Sequence, residues 1–245
     1  MARLEIIVDT LQDALAAEAG GATQLDLKAD FPKGGITPSA GMIEKVCGSV
    51  RIPVMVIIRP HARYWTMTHD DITIMCSDIR IARKFGAEHF LLGCLDESGE
   101  IDVDAFKAFL EAAKNGSLHC HLAWELTPNP LQTLDTLMEL GVKSLRTTGG
   151  GGLSGKAEQN IKKIRYYAAH AQDRIDLFLA GGVNAGNVEK LITETGLTNV
   201  HVGSCAREPE APDGIVLEDK VKRIRQALDR AETQHRHQAQ QTHPL

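Results

Sequence analysis

Short apolar segments alternate along the chain with longer segments of helical periodicity. Residues 4–8 alternate in polarity as a strand does, and a helix-forming run follows from Thr10, an N-cap residue, to Ala19. This order of strand and helix recurs eight times. The predicted strands span residues 4–8, 24–28, 54–58, 89–92, 118–122, 144–147, 176–180 and 199–202, and the predicted helices span residues 11–19, 40–46, 68–85, 102–113, 130–140, 157–171, 187–195 and 219–232.

Glycine separates four of these helices from the strand that follows. Gly21, Gly86, Gly141 and Gly196 stand where a helix ends, a position that favours glycine because it takes the left-handed conformation without a Cβ clash. Eight strand–helix units in 245 residues predict an α/β fold, the (β/α)8 TIM barrel. The alternative is an open doubly wound sheet. It lacks support because no Gly-x-Gly-x-x-Gly turn follows the first strand, and we therefore expect no nucleotide cofactor.

The whole barrel is predicted to be one domain, residues 1–232. A chain of this length can bury a single core of that size. Residues 233–245 are rich in Gln and His and show no apolar periodicity, so we expect a disordered C-terminal tail.

Composition excludes several classes of protein. With 43% apolar and 24% charged residues the chain is globular, and no run of about 18 apolar residues predicts a membrane segment. Residue 3 leads directly into a strand pattern without a signal peptide, so a cytoplasmic location is expected. Five scattered cysteines form no Cys-x-x-Cys pair, which argues against a disulfide framework. The net charge of −5 and 4% aromatic content argue against nucleic-acid binding.

Alternation within the strands indicates which polar side chains face the barrel interior. If Leu25 and Leu27 pack on helices, then Asp26 and Lys28 face inward. The same parity turns further charged and imidazole side chains inward, namely those of Glu5, Arg59, His119, His121, Arg146 and His201.

An isolated charge in a barrel would cost several kcal/mol, so these groups are expected to pair. Glu5, Asp26 and Glu125 nearly balance Lys28, Arg59 and Arg146, which leaves two alternatives open. The charges form either a salt-bridge network that fills the barrel or a polar cup that performs chemistry. Interior positions of such barrels are usually Val, Ile or Leu, so we favour a polar active-site cup at the carboxyl ends of the strands.

Residues 119–130 concentrate candidate chemistry at the fifth strand. On a strand, His119 and His121 share one face, and Glu125 follows shortly after. His121 and Glu125 are the candidate general acid/base groups, and Trp124 is expected to wall the mouth of the barrel. Histidines bonded to backbone would be the structural alternative.

Small residues follow the last three strands. Gly149, Gly182 and Ser204 stand where backbone N–H groups could hold a phosphate or another anion, a common use of this part of the barrel. Tight turns would explain the same glycines. We therefore expect an anionic ligand, with these residues among its contacts.

Six motifs occur in the order seen in the CutC family, which residues 3–206 resemble. They are residues 26–27, 34–39, 57–60, 121–125 with 127–128, 147–150 and 181–184. The resemblance implies a cytoplasmic TIM barrel that is associated with copper homeostasis, binds copper and forms homodimers or higher homo-oligomers. The biochemical activity of the family is unsettled.

The resemblance also implies a polar site, which by position comprises Glu5, Asp26, Arg59, His121, Glu125 and His201. This chain departs from the family pattern at four positions. Lys28 replaces the usual Cys, Leu122 replaces an Arg, His119 replaces a small or apolar residue, and Arg146 replaces an apolar one. Since copper(I) prefers sulfur ligands, the loss of the cysteine argues for weak copper binding.

Three functions are compatible with this sequence. The first is copper handling, with His121 and His201 as metal ligands. The second is a metal-independent lyase, isomerase or aldolase that acts on a small sugar, sugar acid or sugar phosphate. The third is a non-catalytic binding barrel or oligomeric scaffold. The catalytic candidates of the second are His121, Glu125, Asp26, Lys28 and Glu5, and its substrate-binding candidates are Arg59, His119, His201, Arg146, Trp124, Gly149, Gly182 and Ser204.

Lys28 has two interpretations within the enzyme hypothesis. It could form a Schiff base with a substrate carbonyl if neighbouring guanidinium groups lowered its pKa. It could instead only pair with Asp26 or Glu125, and this interpretation is favoured.

Overall fold

The computed structural model describes residues 2–242, with side chains through residue 234, and forms a closed barrel of eight parallel strands. The strands lie in sequence order, and the first pairs with the eighth. They are β1 (Leu4–Val8), β2 (Gln24–Leu27), β3 (Val54–Ile57), β4 (His89–Leu92), β5 (Ser117–Cys120), β6 (Ser144–Thr147), β7 (Asp176–Leu179) and β8 (Asn199–Val202). The predicted (β/α)8 TIM barrel is confirmed.

A helix follows every strand and covers the outside of the barrel. The helices are α1 (Leu11–Ala19), α2 (Ala40–Cys47), α3 (His69–Lys84), α4 (Val103–Ala113), α5 (Pro130–Glu139), α6 (Ile161–Ala171), α7 (Val188–Thr195) and α8 (Glu218–Thr242). The side chains of Thr10, Ser39 and Asp102 each accept a backbone N–H of the first helical turn, which sets the start of α1, α2 and α4.

The main hydrophobic core lies between the strands and the helices. Leu4, Ile6 and Val8 of β1 are fully buried in it, as are the outward residues of the other strands. The intervening residues point into the barrel, so Glu5 and Ile7 lie on its inner side. This parity brings side chains from distant parts of the chain together inside a narrow ring of strands.

Pairing register places the inward polar residues next to one another. Glu5 of β1 lies opposite Gln24 of β2 on one side and His201 of β8 on the other. Asp26 lies opposite Ile7, one pleat nearer the carboxyl ends of the strands. The barrel interior therefore has a polar layer at Glu5 and a second polar position directly above it at Asp26.

Three element boundaries differ from the sequence prediction by two or more residues. The strand β5 ends at Cys120, and His121 becomes the N-cap of a 3₁₀ helix at Leu122–Leu126. Residues 157–159 form a separate 3₁₀ turn, and α6 begins only at Ile161. The helix α8 continues ten residues beyond the predicted end at 232, because Gln, Ala and Arg favour helix without apolar periodicity. Residues 243–245 of the predicted tail lie outside the described residues.

A short hairpin of β9 (Arg207–Glu208) and β10 (Ile215–Val216) follows β8. Buried Arg207 fastens it to the barrel through Nη2, which lies 3.0 Å from Asp9 Oδ1 and 3.1 Å from the carbonyl oxygen of Ile7. Among the helices of the described chain, none combines the length and apolar character that crossing a membrane requires.

Candidate functional site

A cavity of about 210 Å³ opens at the carboxyl ends of the strands. This is the end at which (β/α)8 barrels carry out chemistry. One part of its wall is apolar and is formed by Ile7, Phe31, Ile57, Trp65, Leu91 and Val183. The polar part is formed by Asp26, Lys28, His121, Arg146, Thr148, His201 and Ser204. The cavity is thus amphipathic, with polar and charged groups drawn from four strands or strand ends, those of β2, β5, β6 and β8.

Glu5 lies beneath the cavity floor and holds a tight ionic cluster. Arg146 donates from Nε and Nη2 to the two carboxylate oxygens of Glu5, the Nε bond being 2.8 Å long. Gln24 Nε2 donates to Oε2 at 2.5 Å, and His201 Nδ1 lies 2.5 Å from Oε1. Burial raises the pKa of Glu5, but Arg146 and His201 outweigh it and hold the pKa well below its usual range.

His201 links this cluster to the cavity. Its Nδ1 faces ionised Glu5, a contact that favours the tautomer with the proton on Nδ1. Its other nitrogen, Nε2, lies 4.0 Å from Asp26 Oδ2 at the cavity wall. A carboxylate that orients an imidazole in this way leaves Nε2 free to accept a proton.

Asp26 supplies the carboxylate that lines the cavity, and its oxygens lack hydrogen bonds. Its side chain is fully buried, yet neither carboxylate oxygen has a hydrogen-bond partner among the described residues. Lys28 Nζ lies 2.8 Å from Oδ2, a distance that gives charge attraction without hydrogen-bond geometry. Buried carboxylates normally accept several hydrogen bonds, so the free oxygens of Asp26 indicate a place for a ligand.

His121 presents a hydrogen-bond donor to the same cavity. Its Nδ1 accepts the backbone N–H of Ala123 at 3.2 Å, and its Nε2 has no partner among the described residues. Burial and the nearby Arg59 and Lys28 lower the pKa of His121 well below its usual value. The ring is therefore neutral and carries its proton on Nε2.

Arg59 lies behind the aromatic wall of the cavity. The guanidinium carbon is 3.9 Å from the centre of the Trp65 ring, whose other neighbour is the His121 ring at 4.4 Å. Arg59 is buried, its guanidinium donates to the Gly35 carbonyl at 3.3 Å, and it has no carboxylate partner within the described part of the chain. A buried guanidinium without an acid is a receptor for a carboxylate or phosphate.

The loops after β7 and β8 also line the cavity, as the sequence predicts. Gly182 and Ser204 both belong to its wall, together with Lys156. The side chains of Asn184 and Asn187 donate to the Gly182 carbonyl at 3.1 and 3.0 Å and hold this loop in place. Lys156 has no ion-pair partner among the described residues, so it adds positive charge at the rim.

Glu125 and Gly149 do not reach the cavity, which corrects two expectations. Glu125 turns away and accepts four hydrogen bonds, from the hydroxyl groups of Thr147 and Thr148 and from the N–H groups of Thr148 and Gly149. The N–H of Gly149 is thereby occupied and cannot hold an anion. Glu125 instead fastens the 3₁₀ helix after β5 to the loop after β6.

Trp124 and His119 are also absent from the cavity wall. Trp124 is fully buried against Tyr167, with ring centres 4.9 Å apart, and its Nε1 donates to the Arg146 carbonyl at 2.8 Å. His119 lies lower in the barrel, between Ser117 and Ser144. Trp124 misses the mouth of the barrel because β5 ends at Cys120 and the chain turns into a 3₁₀ helix. His119 faces inward as its parity predicts, but it lies too far from the carboxyl ends of the strands to line the cavity.

Several cavity residues escaped the sequence interpretation. Trp65 and Phe31 form its aromatic wall, Trp65 in a loop and Phe31 at the start of a 3₁₀ turn, and neither lies in a periodic pattern. Gly93 is equally important, because a Cβ there would approach His121 Cε1 to 2.3 Å. The Trp65 position could have been suspected from its place shortly after the predicted third strand, where barrel loops carry function.

Of the predicted metal pair His121 and His201, only His201 belongs to a group of three donors within the described part of the chain. The one group of three donors found among the described residues consists of Glu5, Asp26 and His201, whose ligand atoms lie within 4.8 Å of one another. Copper(I) prefers thiolate and thioether ligands, and of the five cysteines only Cys205 lines the cavity. This oxygen-rich donor set does not fit copper(I), and Arg146 and Lys28 already neutralise its two carboxylates.

Comparison with known proteins gives consistent matches. The family model described as CutC family matches residues 2–206. A CutC family protein of Porphyromonas gingivalis is 34% identical over 199 residues, which cover 81% of this chain and 79% of that protein. The human copper homeostasis protein cutC homolog is 31% identical over 198 residues, which cover 81% of this chain and 71% of that protein.

Solved structures agree with these sequence matches. The crystal structure of a copper homeostasis protein CutC from Streptococcus agalactiae superposes with a TM-score of 0.78 at 27% identity, covering 83% of this chain and 98% of that one. A thiamine phosphate pyrophosphorylase from Pyrococcus furiosus superposes with a TM-score of 0.63 at 14% identity, covering 94% of this chain and 96% of that one. At this low identity the similarity shows a shared fold alone.

Proposed function

The chain belongs to the CutC family, and we propose that it binds a small anionic metabolite in the barrel mouth and transfers protons to and from it. The observation that carries this proposal is the buried Asp26 carboxylate, which faces the cavity without a hydrogen bond. The reaction class is that of a metal-independent lyase, isomerase or aldolase. The ligand class is a sugar, sugar acid or sugar phosphate.

Proton transfer is supported by three groups that line the cavity, two proton acceptors and one hydrogen-bond donor. Asp26 and His201 Nε2 are the proton acceptors, and Glu5 keeps His201 oriented through Nδ1. His121 Nε2–H is placed to donate a hydrogen bond to a carbonyl or hydroxyl oxygen of the ligand. General acid–base catalysis of this kind contributes about 10²–10⁴ in rate.

An anionic ligand is supported by the balance of charge. Glu5 neutralises Arg146, and Asp26 lies against Lys28. Lys156 at the rim has no carboxylate partner among the described residues, and neither has Arg59 behind Trp65, so positive charge at and next to the cavity is unmatched. The apolar wall limits the number of hydroxyl groups that the site can satisfy. A cavity of about 210 Å³ exceeds the roughly 150 Å³ that holds benzene in another protein, and therefore suits a small metabolite.

Hydrogen exchange provides a direct test of this function. Metal-free protein is incubated in D₂O with a sugar, a sugar acid and a sugar phosphate, and loss of each C–H signal is followed by NMR. We expect exchange with at least one anionic ligand and a decrease of about 100-fold or more in Asp26→Asn. Asp104→Asn, the same chemical change at an exposed helix position, serves as the matched control. Absence of both binding and exchange across the panel contradicts the proposal.

Metal handling is the second candidate function. It is favoured by the approach of Glu5, Asp26 and His201 and by the names of the relatives, which refer to copper homeostasis. Anaerobic titration with copper(I), and aerobic titration with copper(II) and zinc, test it. Saturable micromolar binding of a metal ion that is abolished in His201→Gln supports metal handling. Hydrogen exchange into the ligand that persists in the presence of a chelator supports the metal-independent enzyme.

A further inference from the structure

A chain of hydrogen bonds crosses the barrel interior from its amino-terminal end towards Glu5. His89 Nδ1 lies 2.7 Å from Ser117 Oγ, which lies 2.8 Å from His119 Nε2. His119 Nδ1 lies 2.7 Å from Ser144 Oγ, which accepts a hydrogen bond of 2.9 Å from Arg146 Nη1. Five side chains from three adjacent strands therefore form one connected unit beneath the cavity.

The direction of these hydrogen bonds follows from Arg146, because a guanidinium only donates. Ser144 Oγ accepts from Arg146 and has no acceptor for its own proton other than His119 Nδ1 among the described residues. The hydroxyl of Ser144 is buried, so it donates to His119 rather than remaining unpaired. A neutral His119 then carries its proton on Nε2 and donates it to Ser117.

Burial and the nearby Arg146 lower the pKa of His119 to about 3, so the ring is neutral near pH 7. The chain cannot conduct protons through Arg146, because a guanidinium stays protonated in proteins. Its effect is geometric. Nε and Nη2 of Arg146 contact Glu5 while Nη1 contacts Ser144, and three anchored nitrogens fix the plane of the guanidinium.

We propose that His119 and Ser144 are positioning residues that hold Arg146 on Glu5 and thereby keep the His201 proton on Nδ1. This inference rests on the proposed function, in which His201 Nε2 exchanges protons with the ligand. Loss of Ser144 frees the guanidinium to rotate off Glu5. The Glu5 carboxylate then loses its fixed orientation, and His201 is no longer confined to one tautomer.

The tautomers of His119 and His201 can be read directly by long-range ¹H–¹⁵N NMR on the ¹⁵N-histidine-labelled full chain. His119→Gln and His201→Gln assign the two rings among the ten histidines. In the unmodified protein we expect the Nε2–H tautomer for His119 and the Nδ1–H tautomer for His201. If His119 instead carries its proton on Nδ1, the proposed direction of the hydrogen bonds from Ser144 to His119 and from His119 to Ser117 is overturned, and no further variant is needed to show it.

Variants of the chain then test the positioning effect. In Ser144→Ala and His119→Leu we expect the single Nδ1–H pattern of His201 to be replaced by a mixture of tautomers. His119→Asn, whose Oδ1 retains an acceptor near Ser144, should restore the single pattern. Thr195→Val removes a buried hydroxyl on α7, outside the barrel, and serves as the matched control.

An unchanged His201 pattern in folded Ser144→Ala and His119→Leu overturns the proposal. Should Ser144→Ala not fold, the comparison of His119→Leu with His119→Asn decides the question. The readout requires neither ligand nor turnover, so it separates this inference from the proposed function. A confirmed tautomer effect without hydrogen exchange would refute the enzymatic function alone.

Discussion

Arg146 donates hydrogen bonds to both carboxylate oxygens of Glu5 inside the barrel, although the two residues lie 141 positions apart in the chain. Both side chains are almost completely inaccessible to solvent. Their pairing joins β1 to β6 across the barrel axis, beneath the cavity that contains Asp26.

Removal of Arg146 should destabilise the protein strongly. Arg146→Met leaves the Glu5 carboxylate buried with only Gln24 and His201 as partners, and breaking a buried pair costs about 3–5 kcal/mol. Urea unfolding measures the loss of unfolding free energy. The double variant Glu5→Gln/Arg146→Met should recover part of that loss, because it no longer buries an unpaired charge. A double variant less stable than Arg146→Met would contradict this account.

Acid should destabilise the protein through His119. Its pKa of about 3 lies below the value of about 6.5 expected in the unfolded chain, so the unfolded state binds one more proton between these values. Stability present above about pH 6.5 is therefore lost as pH falls, by about 1.4 kcal/mol per pH unit. His119→Asn should reduce the slope of unfolding free energy against pH by that amount, whereas exposed His69→Asn should not. Equal slopes in all three proteins would exclude this effect.

Replacement of the Glu125 carboxylate should lower the stability of the protein. Glu125→Gln places an amide N–H₂ group where four donors converge, and hydrogen bonds to a buried carboxylate are worth about 1.5–3 kcal/mol each. We expect the unfolding free energy to fall by about 3 kcal/mol or more. Exposed Glu97→Gln controls for the substitution itself. A variant as stable as the unmodified chain would show that the network contributes no net stability.

Trp65 should report binding in the cavity. The chain has two tryptophans, of which Trp65 lines the cavity and Trp124 is buried outside it. In Trp124→Phe, titration with an anionic sugar derivative should change the emission of Trp65. In Trp65→Phe the remaining emission should stay constant. A change that depends on Trp124 instead would place the ligand elsewhere.

The barrel and its inward polar residues were predictable because backbone geometry acts over short distances. Alternation along β2 turns Asp26 and Lys28 inward whatever the rest of the chain does. The same rule did not extend to Glu125, since β5 ends at Cys120 and a 3₁₀ helix has a different periodicity. No periodic pattern marks Trp65, because it lies in a loop, and the signal available for it was its place after the third strand.

The sequence by itself determined the element order, the closed barrel and the set of charges that the barrel must accommodate, because these follow from local periodicity and composition. Only the tertiary structure decided which charges pair. Closure of the ring brings Glu5 to Arg146 and His201, and leaves Asp26 and Arg59 with unsatisfied atoms. Pairing depends on register and side-chain reach across the barrel, and contacts between residues 141 to 196 positions apart carry no local signal.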